Sequence, residues 1–308
     1  MNFSKVWKDN YNDLNNFFKS LDINSTIDKD IIHPFTRDWS NMEGAGDLLV
    51  RPKSTIECAV ILKICYSCGI LLTISAGKTN LTGSATPNGG VILSTSKLIE
   101  PDIEIDKINK QASAPVGIQL EDFRRRVLEL SNQNLYYPAD PTSRHDALIG
   151  GTISTNASGF VPGEKGATRY WVKGIEFLLP NGDMINIKRG QYISDDGFFT
   201  LQYGDKNIDL PIPVYNRPKI KNASGLYSDK NGIIDLIDLI IGSEGILGMI
   251  THCELGLALN PKDRLELFIS LKNESDAVDF HDYLNNHFNQ DLSSITAMEY
   301  FGYNSQKY

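Results

Sequence analysis

Cysteine is scarce. Four in 308 residues, Cys58, Cys65, Cys68 and Cys253, are too few and too clustered for the disulfide framework of a secreted scaffold. Cys65-Tyr66-Ser67-Cys68 forms one CxxC, but no second CxxC or nearby histidine pair completes a metal set, so no metal site is expected. With Cys58 the pair fits one buried face of a helix ending at Gly69. Long apolar runs are missing too. The most apolar late stretch, 232–242, is broken by Asp235 and Asp238 and falls far short of the roughly 20 residues of a membrane span. The opening MNFSKVWKDNYNDLNNFF has no apolar h-region and no small-residue cleavage site, which argues against a signal peptide. Basic charge is in deficit: 30 Lys and Arg against 38 Asp and Glu give a net charge of −8. With no local basic stripe, nucleic acid is excluded as a partner. These absences predict a soluble, reduced, cytoplasmic protein without a membrane span.

What is present suits a folded chain of about two domains at roughly 150 residues each. Apolar residues make up 41% and charged residues 22%, enough for a buried core. Phe3, Trp7, Tyr11, Leu14, Phe18 and Leu21 recur at helical spacing and predict an amphipathic N-terminal helix. Leu48-Leu49-Val50 reads as a strand before Arg51-Pro52. Ser54 and Glu57 have capping-box spacing ahead of a helix that stops at Gly69. Strands are expected over 70–74 and 91–93, a helix over 116–131, and a hairpin turning at Pro180-Asn181-Gly182-Asp183. Residues 190–220, rich in turn dipeptides and proline, read as an inserted loop or hairpin. Residues 264–271, 274–288 and 294–301 read as strand, helix, strand, with Phe280, Tyr283 and Phe288 on the helix's core face.

Chemistry concentrates in small-residue segments. Gly77-Lys78-Thr79 after a strand suggests a P-loop, yet the required first glycine is Leu72. Gly83, Pro87, Gly89 and Gly90 also follow where a helix would have to open, so the triphosphatase reading fails. The loop Ser75-Ala76-Gly77-Lys78-Thr79-Asn80-Leu81 is either an ordinary tight strand connection or a backbone anion nest. Three more such segments tilt the balance toward the nest: Ile149-Gly150-Gly151-Thr152-Ile153, Thr155-Asn156-Ala157-Ser158-Gly159 and Gly242-Ser243-Glu244-Gly245-Ile246-Leu247-Gly248.

In their order, SAGKTNLTG, YYPADPTSRHDALIGGTISTNASG, GIEFLLPNGD, KNASGLYS and IIGSEGILGMIT resemble the FAD-linked oxidases, the vanillyl-alcohol-oxidase or PCMH-type superfamily, over about residues 38–256. The pattern is most similar to the D-lactate dehydrogenase and glycolate oxidase FAD-subunit group. The resemblance implies an α+β fold: a two-subdomain PCMH-type FAD-binding domain followed by the start of an α+β cap domain. The expected divisions are an N-terminal helical segment (1–42), the flavin domain (43–256, subdomains about 43–99 and 100–256) and a partial cap (257–308). Carried over by position, Ser75, Ala76, Gly77, Lys78, Thr79, Asn80 and Leu81 should wrap the diphosphate through backbone amides. Pro141, Thr142 and Ser143 should line the flavin, with Gly150, Gly151, Thr155, Asn156 and Ser158 beyond. Glu244, Gly245, Gly248 and Ile250 should complete the site.

Departures carry expectations of their own. The family's glycine-rich first loop has become Ala76, Lys78 and Asn80 here. Asn80 would tolerate positive φ, and Lys78 would either place a cation beside the diphosphate or point to solvent. None of His33, His145, His252, His281 or His287 lies in that loop, so FAD should be noncovalent, with His145 a surface residue. The resemblance implies oxidation of a 2-hydroxy acid of D-lactate or glycolate type, with hydride passing to flavin N5 and electrons leaving to an unknown acceptor. Residues 257–308 offer no histidine-rich substrate signature, so no catalytic base is named. The alternative is a truncated or split flavin-binding chain that needs a C-terminal cap polypeptide, or self-associates. The related alkylglycerone-phosphate synthases share the flavin motifs.

Overall fold

Leu48–Val50 and Val91–Ser94 lack polar alternation because both of their faces are covered, and every one of these residues is buried. In the computed structural model, which describes residue 7 and residues 10–203, 206–218, 221–223, 225–302 and 304–305, they are the central strands of a four-stranded sheet. Val91–Ser94 runs parallel to Leu48–Val50 on one side and to Leu72–Ser75 on the other. Ser25–Thr26 adds an antiparallel edge beside Leu48–Val50, drawing the polar segment after the first helix into this sheet.

The crossover helix Thr55–Cys68 is set by its ends. Ser54 accepts from the Glu57 N–H, Glu57 accepts in return from the Lys53 N–H, and Gly69 closes the helix at φ 63°. Cys58, Ile61, Leu62, Cys65 and Cys68 form its buried face. Burial pushes the Cys65 thiol up to about 12, aided by Cys68 beside it, so it stays protonated and inert at neutral pH. The N-terminal helix is described from Tyr11 to Ser20, with Leu14 and Phe18 buried; the predicted positions before Trp7 lie outside the described residues.

A second, five-stranded antiparallel sheet has the order Glu104–Asp106, Gln111–Pro115, Met249–Gly256, Val172–Leu178, Met184–Lys188. The helix expected over 116–131 runs only from Leu120 to Leu130. Its predicted first turn is used elsewhere: the Val116 N–H donates to Thr251, the Gly117 N–H to Leu98, and the Val116 carbonyl accepts from Gly150. Within 190–220, Phe198–Tyr203 and Lys206–Pro211 form the separate hairpin the turn dipeptides suggested.

The strand-helix-strand expectation past residue 264 is corrected. Glu274–His287 is helical, but 264–271 and 294–301 form no strand, because no described strand edge lies beside them to share hydrogen bonds. Nor does that helix bury a core face: Phe280 and Phe288 are only partly covered, and Tyr283 is exposed. Among the described residues no helix is long and apolar enough to cross a membrane.

Candidate functional site

Parallel strands end together at Ser75 and Ser94, which are register partners, and the chain leaves the first in a loop and the second in the 3-10 turn Thr95–Lys97. Ligand clefts of α/β sheets form at such ends. Here a cavity of about 240 Å³ opens between them, the 141–158 segment and the start of the Met249–Gly256 strand. It is lined by all of the residues singled out from sequence except Ser75, Leu81 and Asn156.

Those exceptions have plain physical reasons. Ser75 is fully buried beneath the loop, and its hydroxyl has no partner. Leu81 is 73% exposed and turned outward. Asn156 is buried behind the wall at φ 47°, where its side chain accepts from the Arg169 N–H. Lys78 also departs from expectation. Its backbone borders the cavity, but its ammonium donates to the Pro34 carbonyl at 2.6 Å and sits 4.4 Å from the Phe35 ring centroid. Burial there holds its pKa below the usual lysine value. It is Lys78, not Asn80, that takes the left-handed backbone, at φ 58°.

The loop's chemistry therefore lies in its backbone. Among the described residues, the N–H groups of Gly77, Lys78, Thr79 and Asn80 have no acceptor. A run of free amides around one left-handed residue, bordered by small side chains, is the geometry of an anion nest. Gly77 belongs there because the loop passes directly over the next segment; a Cβ would lie 2.2 Å from the Asp146 carbonyl oxygen. The facing wall is the short helix Ile149–Ser154, where a Cβ on Gly150 would meet the Val116 side chain at 2.7 Å. Pro141, Thr142 and Ser143 are held from behind by Arg124 and Arg144, which both bind Asp140, at 2.9 and 2.8 Å.

The third wall is the turn before Met249. Glu244 takes φ 53°, donates its N–H to the Ser154 carbonyl, and accepts at its carboxylate from the Thr82 hydroxyl at 3.0 Å. A strap thus runs from the first loop to the last. Among the described residues, Glu244 and Lys78 are the only ionisable ones on the lining, and no histidine, cysteine or tyrosine stands on it. His145 is exposed, as expected.

Sequence reading missed Ile74, Ser84, Thr95, Val116 and Ser154, among others on the lining. Thr95 carried a signal, since it directly follows a parallel strand. Its hydroxyl is buried without a partner, an orphan that fits a bound polar ligand better than an empty cavity. No group of histidine, cysteine, aspartate or glutamate able to hold a metal occurs among the described residues.

Comparison with known proteins agrees with this geometry. Residues 46–188 match the family model of the FAD binding domain. The chain is 30% identical to a D-lactate dehydrogenase of Anaerostipes hadrus over 82% of its own length and 45% of that protein's. It is 28% identical to the glycolate oxidase subunit GlcD of Bacillus subtilis (strain 168), over 74% of its length and 40% of the relative's. The chain thus spans under half the length of these curated relatives. The fold is shared with 6-hydroxy-D-nicotine oxidase from Arthrobacter nicotinovorans at a TM-score of 0.60 and 17% identity, covering 86% of this chain and 49% of that one. Residues 46–188 therefore match an FAD binding domain, and the chain is similar over most of its length to the D-lactate dehydrogenase and glycolate oxidase relatives.

Proposed function

We propose that this cleft binds FAD noncovalently and that the chain serves a 2-hydroxy-acid oxidoreductase of D-lactate or glycolate type. One observation carries the reading: the four free amides of 77–80 face a cleft walled by glycines and hydroxyl side chains, inside a matched FAD binding domain. When bound, FAD supplies the acceptor for the C2 hydride of the substrate. The protein's part is to hold and orient. The amides of Gly77, Lys78, Thr79 and Asn80 receive the diphosphate without a neutralising lysine. Gly150 and Gly151 would let the backbone approach closely, and Pro141, Thr142, Ser143, Thr155 and Ser158, all on the cavity lining, would wall the flavin. Gly245 and Gly248 lie on the closing turn and Ile250 on the strand that follows it, so the flavin unit extends past the matched segment to about residue 256.

The noncovalent reading is supported by the absence of histidine, cysteine and tyrosine from the lining among the described residues. A reducing, cytoplasmic setting suits four cysteines that are all free and buried. A second reading is a chain that holds FAD but turns over only with a separate cap polypeptide or a second copy of itself. It is favoured by the exposed apolar row Leu265, Leu267 and Ile269.

The test is the visible spectrum before and after acid precipitation, then after addition of D-lactate, glycolate or D-2-hydroxyglutarate. Flavin bands released to the supernatant and bleached by one acid are the expected result. Bands left in the pellet would overturn noncovalent binding, and bands that no substrate bleaches would favour the second reading. A colourless protein that takes up no added FAD would sink both.

A further inference from the structure

Lys78 holds a left-handed backbone without being glycine, a conformation disfavoured for a side-chain-bearing residue. Something must hold it there, and the ties all lead to one short segment ahead of the matched domain. The Lys78 ammonium donates to the Pro34 carbonyl at 2.6 Å. The Trp39 N–H donates to the Lys78 carbonyl at 3.2 Å. Asp38, only 7% exposed, accepts from Asn80 Nδ2 at 2.7 Å and from the Ala85 N–H at 3.3 Å through one carboxylate oxygen. Its other oxygen accepts from the Ser40 N–H at 2.9 Å and from the Ser40 hydroxyl. One buried carboxylate therefore grips loop 77–85 at Asn80 and at Ala85, and the free amides of 77–80 run up to the first gripped point.

We propose that residues 34–40 form a clasp that preshapes loop 77–85 for its ligand, with Asp38 as the positioning residue. Asp38 does not line the cavity and acts only through Asn80 and Ala85, which do. The clasp deepens the FAD reading, on which its affinity readout rests. A loop already in its binding shape loses less entropy on capture of the cofactor.

The experiment compares wild type, Asp38→Ala, Asn80→Ala and the double variant by two readouts. The first is amide hydrogen exchange of the FAD-free protein. Asp38→Ala should speed exchange of the hydrogen-bonded amides that report on the loop, those of Trp39 (donating to Lys78) and Thr86 (donating to Gly83), by about tenfold or more while the Val172–Leu178 strand stays as protected as in wild type. The second is FAD affinity, where Asp38→Ala should weaken binding by about tenfold and the double variant should be no weaker than the worse single one. Faster exchange spread over the whole chain, or loop exchange and affinity both within twofold of wild type, would overturn the clasp. If Asp38→Ala does not fold, Asn80→Ala decides by the same loop-local exchange. Failure of wild type to bind FAD would refute the functional reading alone, since the exchange arm still judges the clasp.

Discussion

A methyl group at Gly77 is the smallest change that separates packing from chemistry in this cleft. Its Cβ would stand 2.2 Å from the Asp146 carbonyl oxygen and 2.9 Å from Ala147 Cα, both backbone atoms that cannot rotate away. Gly77→Ala must therefore part the two loops, at a cost of about 1–3 kcal/mol. Thermal melting should fall and FAD uptake should be lost. Gly163→Ala, at φ 68° with nothing within 4 Å, should cost only its backbone preference of about 1 kcal/mol and leave FAD uptake intact. Asp38 gives a pH signature at the same scale. Burial pulls its carboxyl upward, but the hydrogen bonds from Ser40, Asn80 and Ala85 outweigh burial and hold it below 3.8. A depressed folded value means that its stabilisation is complete above the unfolded value and fades as pH falls through the folded one. The melting-temperature gap between wild type and Asp38→Asn should be widest above pH 5 and narrow steadily below about pH 4. A gap independent of pH would assign the carboxylate no charge-linked role.

Elements were legible where their signals are local. Ser54, Glu57 and Gly69 sit within one turn of the helix ends they set, and the helix is found between them. Ser54→Ala should cost about 1 kcal/mol through the lost acceptor, read as a lower melting temperature. The strand expected over 264–271 failed because alternation only describes which face is apolar; a strand exists when a neighbour accepts its hydrogen bonds. The site divides along the same line. Glycine and hydroxyl loops announced themselves, since close backbone approach selects small residues at the point of contact. Asp38 did not, because its partner Asn80 is 42 residues away and nothing near Asp38 in sequence records the meeting. Lys78 misled for the converse reason: its charge is local, but the Pro34 carbonyl that claims it is a fact of packing.

At the scale of the molecule, the cleft exists because two sheets share one hydrophobic core, and one carboxylate adds a polar tie across it. Glu176, on the five-stranded sheet, accepts from Thr55 at the start of the crossover helix and from Thr251 on the neighbouring strand, at 2.7 and 2.6 Å. Glu176→Ala leaves both partly buried hydroxyls without that acceptor and should destabilise the fold by about 1–3 kcal/mol. Far from this joint, Leu265, Leu267 and Phe268 are 82%, 68% and 92% exposed in sequence neighbours that form no strand. Such a row costs little to change when nothing packs on it, since surface substitutions stay within about 0.5 kcal/mol. It should nevertheless bind an apolar dye. Leu267→Lys with Phe268→Lys should therefore cut the fluorescence of added 1-anilinonaphthalene-8-sulfonate while leaving the melting temperature and FAD affinity unchanged. If instead the melting temperature drops, the row is already covered in solution, by a second copy of the chain or by residues folding back, and its dependence on protein concentration would tell which: a concentration-dependent melt means a second copy, a constant one means the chain itself.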